Sequence, residues 1–216
     1  MQEYYVPTNY SEVEFIEKRS RFIGQIWRVS SEEEARVYIE ETQKRYNDAT
    51  HCWCYRIKES TIERYTDGHE PHGTAGLPML SVFQREEITN VLCVVSRYFG
   101  GIHLGANGLV RAYGRSAKEA LDAAGVSVVR KWIVLEIPCS YAQFETVRRE
   151  LAAWNGIVEE INYGADVLIS SLIPEENVIS FSRRLIDISA GTIEVIESGE
   201  ELKAAPVKRH CREKMY

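Results

Sequence analysis

The sequence predicts an α+β protein of two domains, and three observations lead to that class. Residues 131–198 read as strand, helix, strand, strand, helix, strand, the order of a ferredoxin-like unit. The part before them mixes short strands and helices around ITNVLCVVSRYF, a continuous apolar run suited to a strand buried on both faces. The 216 residues, 44% hydrophobic and 27% charged, have an ordinary globular composition with room for one large or two small cores.

The first domain, 1–130, opens with two strand-like runs, VEFIEK and RFIGQIWRV. Ser31 with Glu34 three residues on is a capping-box signature for the helix EEEARVYIEETQKRY. CWCYRI and TIERYT follow as strands, then the turn-rich DGHEPHGTAG and a short helix, LPMLSVFQ. After the central apolar strand, Asn107 is placed to cap a helix running through GLVRAYGRSAKEALDAA to Gly125. Leu109, Tyr113, Ala117, Ala120 and Leu121 recur on its inner face.

No linker separates the domains, and the boundary falls just before the strand Lys131–Ile137. In the second domain, 131–201, Ser140 caps YAQFETVRRELAAW, whose Phe144, Val147, Leu151 and Trp154 share a face. GIVEEINY and ADVLISSLI form a hairpin over Gly164 and Ala165. Pro174 opens a helix with Val178, Phe181, Leu185 and Ile188 inward; Gly191 ends it, and TIEVIES closes as a strand. Residues 202–216 show no periodicity and read as a loosely held extension.

Composition narrows the function classes. No stretch has the roughly 18 apolar residues of a membrane span, and the N-terminus lacks the basic and apolar segments of a signal peptide. Five cysteines in no framework spacing fit free, buried thiols in a reducing compartment, so a cytoplasmic protein is expected. The net charge of -6 argues against a general nucleic-acid coat. That acidity lies mostly in the C-terminal third, since residues 1–134 carry 17 Lys and Arg against 18 Asp and Glu.

One stretch departs from the mean. SRYFGGIHLGANGLVRAYGRSAK, Ser96 to Lys118, holds five glycines and four Lys or Arg, and no carboxylate occurs between Glu87 and Glu119. A buried strand, a glycine-rich turn and a helix start make a general anion site, because unpaired N–H groups and the positive dipole end face the ligand. Gly100, Gly101, Gly105 and Gly108 would let the backbone come close, and Arg97, His103, Arg111, Arg115 and Lys118 would add charge. Arg111, Arg115 and Lys118 share one helix face. Tyr98 and Phe99 offer a stacking face for a base, with one of the two expected in the core. The stretch is neither a Walker loop nor G-x-G-x-x-G. Glycines in such a turn also serve close packing, and a cationic face also serves solubility.

Together with EPHGTAGLP, THCWCY and KRSRFIG, the motifs RYFGG and LGANGLVRAYG resemble the YigZ/IMPACT family over most of residues 15–130. The resemblance implies a first domain similar to the second domain of a small-subunit ribosomal protein and a tail similar to elongation factor G domains. It also implies translation: the eukaryotic relative regulates it by competing for a partner of a kinase that acts on an initiation factor. Three positions depart from the family pattern. His69 stands for a Gly and His72 for a Ser in DGHEPHG, and Asn107 stands where Gly is common.

Other chemistry finds less support. His51-Cys52-x-Cys54 with His69 and His72 raises a zinc site, but Cys52-x-Cys54 is too tight for the common structural pattern, so no metal and no cofactor are expected. Asp67 and Glu70 could serve acid–base chemistry with His51, His69 or His103, but no nucleophile–base order stands out. Their simpler role is to brace the loop with His51, Gly73 and Thr74, by bonding backbone N–H groups or pairing with Arg97 or Arg111. The expectation is a non-enzymatic translation-associated regulator that binds RNA, the ribosome or a translation factor through the glycine-rich cationic segment. The alternatives are an enzyme for a phosphorylated small molecule and a purely protein-binding regulator.

Overall fold

The computed structural model describes residues 3–206. Its contacts divide them into two compact units, Tyr4–Val128 and Val129–Lys203, with the short ends exchanged. Met1, Gln2 and residues 207–216, and with them most of the expected C-terminal extension and Cys211, lie outside the described residues.

The first unit is a five-stranded sheet in the order β2 (Ser11–Glu17), β3 (Ser20–Arg28), β6 (Val91–Tyr98), β4 (Thr50–Ile57), β5 (Ile62–Thr66). β6 takes the centre because its side chains are apolar on both faces, and it pairs antiparallel with β3 and β4. Its period of two sorts those side chains: Val91, Cys93 and Val95 enter one core, Leu92 and Val94 the other. Helices α2 (Gly76–Arg85) and α3 (Ala106–Ala124) cover the first face, and α1 (Glu32–Arg45) covers the second. The short strand β1 (Tyr4–Pro7), unexpected from sequence, bridges at Tyr5 to Ile88.

The start of α1 differs in detail from a capping box. Ser31 Oγ accepts the Glu34 N–H, but the Glu34 carboxylate turns back to the N–H and hydroxyl of Ser30 rather than to Ser31. The start of α3 also differs. The cap is Gly105 at φ 75, and Asn107 lies inside the first turn, so the expected Asn107 cap is overturned. Gly105 supplies a backbone conformation that a side chain would resist.

The second unit runs β7 (Val126–Cys139), α4 (Tyr141–Ala153), β8 (Ile157–Tyr163), β9 (Val167–Pro174), α5 (Val178–Ile188) and β10 (Ile196–Pro206). The sheet order β8-β9-β7-β10 is the ferredoxin-like arrangement expected from the sequence. Ile133, Leu135 and Ile137 of β7 alternate toward Val147 and Leu151 of α4 and toward Phe181 and Leu185 of α5. Gln143 accepts the Ser140 N–H at the head of α4, as a capping residue should. Two boundaries move. A 3-10 turn, Glu175–Asn177, precedes α5, and the last strand begins at Ile196 rather than Thr192. That strand continues through residues 202–206, which overturns the aperiodic reading there.

Candidate functional site at the glycine-rich turn

The glycine-rich turn, residues 99–105, joins the exposed end of β6 to α3, and a second loop, residues 67–75, joins β5 to α2. Arg97, on β6, faces inward rather than outward. Its Nη1 donates to Glu70 Oε1 at 2.6 Å and its Nη2 to Ser20 Oγ at 3.2 Å, and both charged side chains are only 8% exposed. The guanidinium also lies 5.4 Å from the Phe22 ring and 5.5 Å from the Phe99 ring, while its Nε has no partner. Tyr113 of α3 donates to the same Glu70 oxygen at 2.9 Å. One carboxylate therefore holds β6, α3 and the second loop together, and Arg97 is engaged internally rather than offered to a ligand.

Asp67 braces the other end of that loop. Its carboxylate accepts the N–H groups of Gly73, Ala75 and Gly76 at 2.8, 3.0 and 2.8 Å. This stands in for a cap at α2, where Ala75 has no side-chain oxygen. Burial pushes the Asp67 carboxyl up, but the three N–H donors outweigh it and hold it below its ordinary range. Thr74 Oγ1 closes a local turn on the Pro71 carbonyl at 2.6 Å. His51 lies between Ser96 Oγ at 2.9 Å and the Tyr46 carbonyl at 3.1 Å. The carbonyl can only accept, so Nε2 carries the proton and Nδ1 accepts from Ser96. Burial lowers the His51 pKa, which keeps the ring neutral.

The departing histidines are at the surface. His69 is exposed, and the His72 side chain is 95% exposed with Nδ1 3.6 Å from Asp67. Cys52 and Cys54 face the core rather than a ligand, and burial pushes the Cys52 thiol up to about 12. Among the described residues no group of three His, Cys, Asp or Glu is placed to hold a metal ion.

The turn itself has an inner and an outer side. Gly100 is inner: a Cβ there would stand 2.0 Å from the Arg19 carbonyl, so the backbones touch. Gly108 packs on Leu104, which a Cβ would approach to 2.9 Å. Gly101, Gly105 and Asn107 are outer, with His103 exposed beside the Phe99 ring at 5.2 Å. Neither expected stacking residue enters the core, since Phe99 is 55% exposed and Tyr98 half-buried beneath Arg21. The α3 start has no side-chain cap and no acidic residue in its first turn, so its dipole end is not neutralised locally.

The three helix cations are not equivalent. Arg115 pairs with Glu119 at 2.7 Å and lies 4.2 Å from the Phe15 ring, and Lys118 pairs with Asp122 and Glu86. Arg111 is exposed and makes no ion pair among the described residues. Two further cations were missed in the sequence. Lys18 and Arg19 form the two-residue turn between β2 and β3 at φ 44 and 66, and both are exposed without an ion pair among the described residues. β2 runs against α3, with Ser11 bonded to the Ala120 carbonyl and Phe15 under Arg115, so the hairpin tip falls level with the first turns of α3. The contact of Arg19 with Gly100 fixes it there. The signal was present in KRSRFIG, where two cations occupy turn positions that usually need Gly or Asn.

Comparison with known proteins agrees with the motifs. Residues 18–121 match the Impact N-terminal domain, and residues 137–192 match a domain of unknown function, DUF1949. The chain is 34% identical to IMPACT family member YvyE of Bacillus subtilis over 99% of both chains. It is 32% identical to IMPACT family member YigZ of Escherichia coli, over 83% of this chain and 90% of that one. A solved structure described as that of a hypothetical protein is similar with a TM-score of 0.57 and 30% identity, covering 92% of this chain and 98% of the other. The chain belongs to the IMPACT family.

Proposed function

We propose that this protein is a non-enzymatic, translation-associated regulator that binds RNA or the ribosome through the surface formed by the glycine-rich turn, the start of α3 and the Lys18–Arg19 hairpin tip. What supports this reading is that Lys18, Arg19 and Arg111 are exposed without an ion pair among the described residues, that the Arg19 backbone touches Gly100 of the turn, and that the start of α3 has no side-chain cap. An anion there gains N–H donors, the dipole and three exposed cations. Asp67 and Glu70 both bond inside the protein, to backbone N–H groups and to Arg97 and Tyr113, which favours a bracing role over that of a phosphorylated-substrate enzyme.

The test is a titration of single-stranded RNA or ribosomes at several salt concentrations. Neutralising Lys18, Arg19 and Arg111 together should lower the salt slope by roughly two units, at about 0.7 per phosphate contact on single strands. Neutralising Arg115 and Lys118 should change it little, because each already has a carboxylate partner. Equal slopes for the wild type and the triple variant would sink the phosphate reading. A protein-binding regulator is the second reading, favoured by the exposed Phe99, Ile102 and Val110 around the same turn. Such binding would barely respond to salt and would fall on Phe99→Ala.

A further inference from the structure

On the α1 face of the first unit lies an open groove of about 310 Å³, lined by Tyr10, Gln25, Trp27, Glu41, Thr42 and Arg45. Gln25 is 2% exposed, and its Nε2 donates to Glu12 at 2.9 Å and to Tyr10 Oη at 3.0 Å. The Glu12 carboxylate can only accept, so the amide cannot be flipped, and Oε1 is left a buried acceptor with no donor. Such an orphan is uncommon in a folded protein and calls for a reason. The charges around it are unequal. Arg45 is neutralised by Glu12 at 2.9 Å, and Glu12 is saturated by further donors from Tyr10, Gln25 and Tyr46. Glu41 is exposed and makes no ion pair among the described residues. What the groove offers is an unpaired carboxylate, an unpaired amide oxygen and the ring of Tyr10, which leans at 5.2 Å on a Trp27 ring that is itself stacked on Tyr38 at 5.4 Å. Carboxylate, carbonyl and ring face all attract a cationic N–H donor.

We infer that this groove binds a guanidinium group, held by Glu41, the face of Tyr10 and Gln25 Oε1. Guanidinium suits the site better than ammonium because it is flat, weakly hydrated and able to stack while it donates in its plane. Gln25 Oε1 is shut off from water, so the ligand reaches it by displacing what covers it. The source is either a free guanidine compound or an arginine side chain of another protein. The site is separate from the glycine-rich turn and does not rest on RNA binding there.

The experiment is a calorimetric or NMR titration of the full chain with arginine amide, citrulline amide, and a short arginine-containing peptide. Citrulline amide keeps the shape and N–H donors but lacks the charge. Arginine amide should bind near the millimolar range, moving the Trp27 indole resonance, and citrulline amide at least tenfold more weakly. A peptide that binds more than tenfold tighter than the amide would identify a protein source, and equal affinities a free guanidine source. Glu41→Gln, an exposed helix substitution, should weaken arginine amide about threefold, and Gln25→Leu about tenfold. If Gln25→Leu does not fold, the arginine–citrulline difference and Glu41→Gln still decide. No binding of arginine amide, equal binding of citrulline amide, or indifference to Glu41→Gln would each overturn the inference.

Discussion

At the scale of single residues, the site rests on two carboxylates whose partners differ in kind. Glu70 meets a charge, Arg97, inside the protein, so removing either partner strands the other in a poorly solvated place. Glu70→Ala should lower stability by about 3–5 kcal/mol in urea unfolding, whereas Tyr113→Phe, which removes one neutral donor, should cost about 1–2 kcal/mol. Equal losses would mean that the guanidinium is better hydrated than its burial implies. Asp67 meets dipoles instead, and its effect is read through pH. Its folded pKa lies below the ordinary 3.8, so its contribution is complete above 3.8 and is lost as pH falls from there through the lower folded value. His51 works at a higher window: held neutral, it costs stability as pH falls below its ordinary 6.5. Asp67→Asn should flatten the acid limb of a stability–pH curve below about pH 4 while leaving the His51 limb in place.

At the scale of elements, the hairpin between β2 and β3 shows a conflict between local preference and use. A two-residue hairpin turn with positive φ at both positions favours Asn-Gly, and here it is Lys18-Arg19. Each left-handed non-glycine residue costs on the order of 1 kcal/mol, which a solvated turn could avoid by sequence alone. Lys18→Asn with Arg19→Gly should therefore raise the melting temperature by several degrees while weakening RNA or ribosome binding. Gains in both stability and binding would show that the cations have no role. This element also marks what the sequence can and cannot reveal. The strands and the inward faces of α3 and α4 were legible because their periodicity reports burial directly. The Arg97–Glu70 pair was legible as a possibility, since a cation ending a buried strand needs a nearby carboxylate. Gly105 as the cap of α3 was not, because Asn and Gly both cap helices and only the backbone angle separates them. Nor was the approach of Arg19 to Gly100, which brings together residues about eighty positions apart and leaves no periodic trace.

At the scale of the whole molecule, the hydrophobic clusters form within separate stretches of chain, those around Phe22, Val95 and Tyr113 and around Tyr55 and Leu92 in the first unit and that around Leu135, Phe181 and Leu185 in the second. A unit with its own core can loosen on its own, because the burial that opposes its opening is internal to it. Phe181 is fully buried, and Phe181→Ala removes a ring that packed neighbours replace only in part. The loss should be about 3–5 kcal/mol and confined to the second unit. Hydrogen exchange on the full chain is the measurement. Amides of β9, α4 and α5 should exchange faster in the variant, while those of β6 and α3 keep wild-type protection and the salt slope of RNA binding stays unchanged. Faster exchange in β6 to the same extent would mean that the two units unfold as one, and the candidate surface on the first would then depend on the core of the second.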